Sequence, residues 1–500
     1  MYTYQDLQKV GEGDAVRMDF VRAAIESHKG TTLYHTAIVA DEYDRHQNRT
    51  IIRYRKLLYT MSGEAVPDNF SANYKLPSNF FNRFVVQETQ YLLGNGVTWE
   101  NGDDTADQLG KDFDMRLQEL AKSAIVAGVA FGFFNMDHLE VFELKEFVPL
   151  YDEDNGALMA GIRFWQVDYE KPLRATLYEI DGYTDYLWDK DGGRILHEKR
   201  PYQLVIQTSE IDGTEIYDGE NYPTFPIVPL WGNPHHQSLI VGLRDEIDAY
   251  DLIQSGFADD LDDASQIYWT IQNAEGMDDV DLATFIKHMK TVKAAVVEDN
   301  GAKAEAHTLD VPYAARETIL SRLENTMYKD AMALNPETIA GGAATATQIK
   351  AAYEPLNNKT DEFEGCVIDF LQGIMAVAGI DDAPTFTRSI LINTQEEVQT
   401  VLSAATYLPQ DYVTRKILTI LGDGDKADEI INEMNMDDMD RMTGGEEEES
   451  GDEEGTGVED LIANLESQLD DLDAQLAELE STGSDEGDED EEDEEEEEEE

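Results

Sequence analysis

The chain is nearly without cysteine: Cys366 stands alone in 500 residues, so no intramolecular disulfide can form, and no Cys/His cluster has the spacing of a zinc site. Long apolar runs are also missing. The longest, Ala124 to Phe134, has 11 residues, well short of the ~20 that a bilayer-spanning helix needs. Met1-Tyr2-Thr3-Tyr4-Gln5-Asp6 offers neither a basic segment nor an apolar one, which argues against a secretory leader and for an intracellular origin. Absent too are the phosphate-cradling G-x-x-x-x-G-K-[S/T] loop, the G-x-S-x-G elbow and the H-E-x-x-H helix. No catalytic residue, cofactor or metal is therefore expected. Adjacent His235 and His236 read as loop histidines, because neighbours on an extended backbone point to opposite sides.

Base is scarce: 37 Lys and Arg face 106 Asp and Glu, for a formal net charge of -69. Residues 446–500 hold 30 of the acids and no base, which leaves the first 445 residues at a net -39. Such a body repels a DNA duplex, which carries one charge per ~1.7 Å of axis, so a groove-reading factor is disfavoured. Anionic lipid is repelled for the same reason, and no membrane partner is expected. One basic stripe stands out. Arg45, Arg49, Arg53 and Lys56 recur at helical spacing, and a solvated face or salt bridges between subunits explains them better than nucleic acid does.

The first ninety residues read as mainly helical, with Leu57, Phe80, Phe81, Phe84 and Val85 as apolar positions and Pro67 and Pro77 as breaks. From Asp112 to Val126 the spacing of Phe113, Leu117, Leu120, Ala121 and Ala124 is helical, and strand-like runs follow at Val129–Phe134 and Leu139–Phe142. More strands are expected at Ala160–Val167, Ala175–Ile180 and Leu204–Thr208. Asp154-Asn155-Gly156 and Asp189-Lys190-Asp191-Gly192-Gly193 read as hairpin turns between strands, since Asn-Gly and Asp-Gly supply positive φ. The second cluster lacks the ordered acids, glycine and terminal Glu of a calcium loop. Three prolines between Phe225 and Pro234 forbid helix and predict an extended connector.

A long helix is expected over Val241–Tyr268, ~42 Å at 1.5 Å per residue. Leu243, Ile247, Tyr250, Ile253, Phe257, Leu261 and Ala264 form its apolar stripe. Its other faces hold Asp245, Glu246, Asp248, Asp251, Asp259, Asp260, Asp262 and Asp263, with no base after Arg244 and no i,i+4 partner expected. Packing must hold such a helix together. Residues 269–312 read as a compact α/β interval, with a helix near 282–292 and strands near 293–298 and 306–309. A second long helix then keeps its spacing through Ala315, Ile319, Leu323, Met327, Ala331 and Leu334 until Asn335-Pro336. The small residues from Ile339 to Thr347 precede a third helix, through Gln348, Ile349, Ala352, Tyr353 and Leu356. Residues 363–442 read as further helices.

Beyond Arg441 the composition changes, and the acidic blocks at 446–454 and 485–500 cannot bury enough apolar area to be ordered. Between them Val458, Ile462, Leu465, Leu469, Leu472, Leu476 and Leu479 alternate steps of four and three, an a/d seam. A conditional coiled coil, a partner-docking helix and a segment folded back on the body remain open for it.

Several stretches, in order, resemble the portal proteins of tailed double-stranded-DNA bacteriophages, the SPP1-like family. The stretch from Leu76-Pro77-Ser78 to Tyr91-Leu92-Leu93-Gly94 looks like the family's helix with its Tyr-Leu-x-Gly turn, and Ala124–Phe131 like its helix-to-strand junction. Leu150-Tyr151-Asp152 followed by Gly161-Ile162-Arg163-Phe164 resembles its paired strands. Pro226-Ile227-Val228-Pro229-Leu230 then leads to Ile247–Asp251 and Ser255. Finally Gly341-Gly342 and Thr345-Ala346-Thr347-Gln348-Ile349 resemble its tunnel loop and following helix start, with Gln348 in place of the family's Glu.

The resemblance implies an α+β, predominantly helical multi-domain portal fold. Residues 1–240 and 347–380 would be the wing, 241–268 and 313–335 the stem helices, 269–312 the clip, 336–346 the tunnel loop and 381–442 the crown, followed by the acidic tail from 443. It implies a ring, normally of twelve subunits, at one capsid vertex, through which double-stranded DNA is packaged and ejected. Partners would be other copies of the chain, DNA, the terminase large subunit, a head-tail connector, and the major capsid and scaffolding proteins, in a virion assembled from protein made in the host cytoplasm. The stem acids named above would line the channel, and Asn335, Pro336, Ile339, Gly341, Gly342, Ala343, Ala344 and Thr345 would form the loop that meets DNA. The alternative from another class is an acidic chaperone or DNA mimic acting through residues 446–500. A hydrolase using Asp pairs has no motif behind it.

Overall fold

The computed structural model describes residues 1–421 other than 12, 60–62, 70, 191, 209–214, 265–267, 273–302, 308–312, 339–345, 389–397 and 399–400, together with 427, 430 and 431. Two compact units divide it, residues 1–393 and 394–500.

In the first unit α1 (Tyr4–Val10), α2 (Asp14–Lys29) and α3 (Thr32–Asp44) open the chain, followed by the short α4 (Arg49–Arg53). Thr3 and Asp6 close a capping box on α1. The expected basic stripe does not share one helix, because His46, at φ 60°, breaks the chain between α3 and α4. Its members pair within the chain: Arg45 with Asp41, Arg49 and Arg53 with Glu42, and Lys56 with Asp259. After α4 the chain is extended rather than helical, with a hairpin of β1 (Leu57–Tyr59) and β2 (Ala65–Pro67) and then a strap to Asn79. Helices α5 (Phe80–Leu93), α6 (Asp103–Leu109) and α7 (Phe113–Ala127) follow, with β3 (Val97–Trp99) between the first two.

Helix α7 ends where expected. Gly128 adopts the left-handed conformation, φ 93°, and turns the chain directly into β4 (Val129–Asn135). Strand β4 pairs antiparallel with β5 (His138–Glu143). The strands β6 (Phe147–Tyr151), β7 (Leu158–Trp165), β8 (Leu173–Glu179), β9 (Gly182–Asp189) and β10 (Gly192–Arg200) form an antiparallel meander. Its β6–β7 and β9–β10 turns fall on the two expected Asn/Asp-Gly clusters. Strands β11 (Gln203–Thr208) and β12 (Glu215–Glu220) form a separate hairpin. The proline-rich connector is in part a strand, β13 (Ile227–Trp231), on the outer side of β4. Pro229 is tolerated there because an edge strand leaves half its N–H groups out of the ladder.

Long helix α8 (Ile240–Ala264) ends before the expected Tyr268, which begins β14 (Tyr268–Gln272), the antiparallel partner of β15 (Lys303–His307). The helix expected near 282–292 and the strand near 293–298 lie outside the described residues. Helix α9 (Tyr313–Asp330) stops five residues short of its expected end, with Met332 at φ 52° in the turn that follows. Helix α10 (Ala346–Ala378) runs for 33 residues with Pro355 inside it. Strand β16 (Pro384–Phe386) pairs with β3, so the residues just past 381, expected to start the crown, belong to the first unit.

The meander is covered on both faces. Phe20, Val21, Ala24 and Ile25 of α2 pack on Val148, Leu150, Ile162 and Leu177. The other face joins a core in which Phe131, Phe133, Phe142, Phe147, Tyr178 and Tyr202 meet ring to ring, at centroid separations such as 4.5 Å for Phe131–Phe147. That core continues into α3, α5 and α7, the first half of α8, the end of α9, and α10. Gly132 allows α10 to lie close to β4, since a Cβ there would stand 2.6 Å from the Phe370 ring.

In the second unit α11 (Gln410–Leu421) is described, with Val413 and Ile417 buried, in part of the segment expected as the crown. The tail from 443, with its seam from Val458 to Leu479, lies outside the described residues. Among the described residues no helix is long and apolar enough to cross a membrane.

Candidate functional site: the acidic helix and the mounting of the loop

Helix α8 carries acid on every side, and its neighbours sort those acids into different roles. Asp251 is fully buried and Asp259 is 3% exposed. Both accept hydrogen bonds from the strap that follows the β1–β2 hairpin. The backbone N–H of Ser78 donates to Asp251 (2.8 Å), that of Leu76 to the Ser255 hydroxyl (3.1 Å) and that of Tyr74 to Asp259 (2.7 Å). Alternate residues of an extended chain thus meet every fourth residue of a helix. The match works because two extended residues span ~6.6 Å and four helical residues ~6 Å. Pro77, which has no N–H, sits where the ladder needs none.

Side chains complete the anchor. The Asn48 amide donates to Asp251 (2.5 Å), and Lys56 reaches Asp259 at 3.3 Å. Thr50 donates to Asp248 (2.7 Å), which also accepts from the Tyr43 hydroxyl and lies 3.6 Å from Arg244, an i,i+4 partner that the acid count had hidden. Burial pushes the Asp251 carboxyl above the ordinary range, against the opposing pull of its Asn48 and Ser78 donors. Burial likewise raises Glu246, whose neighbour is Asp330 on α9. Asp260 pairs with Arg316 of α9. Asp245 and Asp262 are exposed, and the side chain of Asp263 lies outside the described residues. The expectation of eight channel-facing acids is thus narrowed: Asp251 and Asp259 are enclosed by the chain's own strap, because an extended segment with unsatisfied N–H groups needs acceptors.

The apolar stripe fades along the same helix. Leu243 and Ile247 are buried, Tyr250 packs edge-on to Phe80 at 5.0 Å, and Leu261 is exposed.

The expected loop is described only at its flanks; Ile339, Gly341, Gly342, Ala343, Ala344 and Thr345 lie outside the described residues. On the first flank the Gln87 amide grips Leu334 twice, accepting from its N–H (2.9 Å) and donating to its carbonyl (3.1 Å). Asn335 is buried, and its side chain accepts from the Glu337 N–H (3.0 Å) as Pro336 starts a single 3-10 turn. On the second flank Tyr91 stacks on Tyr353 at 5.7 Å and donates to Asn357 (2.5 Å). One turn of helix away, Lys359 pairs with the fully buried Glu88 at 2.6 Å, and burial raises the Glu88 carboxyl despite that lysine. Gln87, Glu88 and Tyr91 all belong to α5, so one helix fixes both ends of the loop.

Sequence reasoning missed these anchors. The one signal available was the acid-rich face Asp248, Asp251, Ser255 and Asp259 at steps of three, four and four, which reads as a solvated face until an extended partner is laid on it.

Two portal proteins are similar to this chain. That of Clostridium phage phiCD119 is 23% identical over 376 residues, 69% of this chain and 81% of the relative. That of Bacillus phage SPP1 is 25% identical over 386 residues, 70% of this chain and 74% of the relative. Among solved structures, a chain from the neck of a native gene transfer agent particle, computed with C12 symmetry, is matched over 68% of this chain and 89% of its own length, at 12% identity and a TM-score of 0.41. The family model described as "Phage portal protein, SPP1 Gp6-like" matches residues 40–440. That span excludes the acidic tail, so the chaperone or DNA-mimic reading is without support. The chain belongs to the phage portal proteins of the SPP1 Gp6-like family, structural components of the virion.

Proposed function

We propose that copies of this chain form a ring, normally of twelve, in which α8 and α9 surround a bore for double-stranded DNA at one capsid vertex. The segment 336–346 would narrow the bore, residues 269–312 would meet the terminase large subunit or a head-tail connector, and the outer parts would face capsid and scaffolding proteins. The observation that carries this reading is the division of the α8 acids. Asp251 and Asp259 fix the helix to the strap and Asp248 fixes it to α3 and α4, while Asp245 stays exposed. Within the ~8 Å screening length at physiological salt, carboxylates repeated around a ring repel phosphate. A duplex then slides without sticking. Terminase would supply ATP hydrolysis, in keeping with the missing nucleotide loop of this chain.

Negative-stain images and light scattering of the purified chain test the assembly, which should be annular with a mass near a dozen subunits. A monomer under all ionic conditions overturns it. Neutralising Asp245 tests the bore, since the variant should package less DNA or release it more slowly; unchanged packaging and ejection would refute the repulsive wall.

A further inference from the structure

Residues 49–78 differ in character from the acidic chain around them. Arg49, Arg53, Arg55 and Lys56 fall within residues 49–58, which contain no acid. Arg49 and Lys56 are engaged inside the chain by Glu42 and Asp259, whereas Arg53, which comes no closer than 3.7 Å to Glu42, and Arg55 are exposed to solvent. The same arm exposes Ile52, Tyr54, Leu57, Leu58, Tyr74 and Leu76, with Leu57 50% exposed. It grips α8 through backbone N–H groups and Lys56, which leaves these side chains facing water. Singly scattered apolar residues are normal on a surface, but six within one arm mark an interaction face. The paired strands β1 and β2, three residues each, are also too short to be stable by themselves.

A complementary face lies on the helix pair. Leu261 of α8 and Tyr313 and Ile319 of α9 are exposed, Tyr313 by 65%, together with the acids Asp262 and Glu317. One patch is basic and apolar; the other is acidic and apolar. Two different complementary patches on one chain make head-to-tail contacts, the kind that close into rings. Arm against arm would bring Arg53 and Arg55 onto their own copies, and helix pair against helix pair would bring acid onto acid.

We infer that the arm docks on a second copy of this chain, seating Leu57, Leu58 and their neighbours against Leu261, Tyr313 and Ile319, with Arg53 and Arg55 facing Asp262 and Glu317. The inference rests on the ring reading and deepens it. Copies at a net -69 repel one another, and the arm supplies local positive charge where they must touch. Each arm then bonds to its own α8 on one side and to the next copy's helices on the other, so a bore-forming helix pair is held by two chains.

The test uses the full chain in two charge-reversed forms: R53E/R55E in the arm, and D262R/E317R in the helix pair. Like charges then meet at every contact, and each variant alone should lose ring mass by about tenfold or more at a fixed concentration in light scattering. Mixed one to one, the two should regain rings, because reversed arm meets reversed helices and native arm meets native helices at alternate contacts. An L57S/L58S variant, which leaves charge untouched, should also weaken assembly while its circular dichroism stays that of the wild type. Rings at wild-type yield from either charge variant overturn the inference and point to a foreign protein as the arm's partner. So does a mixture that assembles no better than its parts when both variants melt like the wild type. A wild-type chain that forms no ring sinks the ring reading instead, and the inference with it.

Discussion

On the face of the meander turned away from α2, Phe131, Phe133, Phe142, Phe147, Tyr178 and Tyr202 meet ring to ring, whereas along the second half of α8 the buried side chains are carboxylates and a serine holding backbone N–H groups. The first arrangement depends on volume and tolerates no gap. The second depends on matching donors to acceptors, and a lost acceptor leaves donors dry. Equal burial therefore carries different risks in the two regions, and substitutions distinguish them.

The largest effect is expected in the aromatic core. Phe147→Ala should cost about 3–5 kcal/mol in urea unfolding, since the Phe131 and Phe142 rings that flank it cannot close the gap. A loss below about 1 kcal/mol would show that the core relaxes freely, and the contrast between regions would fail. Glu88→Ala should come close, at about 3–5 kcal/mol, because it strands Lys359 in a buried site. Restoration by Glu88→Ala/Lys359→Met would assign that cost to the stranded charge.

Next comes Asp251→Ala, expected to cost about 1–3 kcal/mol by leaving the Ser78 N–H and one of the two Asn48 amide hydrogens without an acceptor, the other amide hydrogen keeping the Ser78 carbonyl. The diagnostic measurement is local, because faster hydrogen exchange at Tyr74, Leu76 and Ser78 should accompany the loss. Global destabilisation with unchanged exchange there would mean that the ladder does not hold the strap.

A smaller effect follows from proton linkage. Burial raises the Asp251 carboxyl above its ordinary value of about 4, so the folded chain binds this proton more tightly than the unfolded chain. Its contribution to stability is fully present below that ordinary value and declines as pH rises through the raised one. Between pH 4 and 7 the wild type should therefore lose stability relative to Asp251→Asn. The opposite slope would mean that the Asn48 and Ser78 donors outweigh burial.

Least of all should happen with Asp245→Asn, whose exposed carboxylate is expected to change folding stability by no more than about 0.5 kcal/mol. Full stability combined with altered DNA passage would separate the acids that build the helix from those that face the bore.

Much of this architecture was readable from residue spacing. The 3.6-residue rhythm of Phe113 to Ala124, the Gly128 cap and the two Asn/Asp-Gly turns act within a few residues of chain, so local sterics fix them. Helices α8 and α9 showed the same rhythm, though their ends shifted where turn backbone intervened. Phe225–Pro234 reads as extended, and part of it pairs as an edge strand because β4 lies beside it; misread were residues 54–59 and 71–78, expected within a mainly helical segment, where the N–H groups from Tyr74 to Ser78 find their acceptors on α8.

The sequence by itself thus determined where the long helices and the tight hairpin turns fall, and that the segments would gather into the family's order of elements. It also determined that a surplus of carboxylate would cover α8. Only the tertiary structure decided what each carboxylate does. Asp251 and Asp262 are the same residue on the same helix, and the difference between a buried acceptor and an exposed charge is created by the strap, some 180 positions earlier in the chain, whose N–H groups had no other partner.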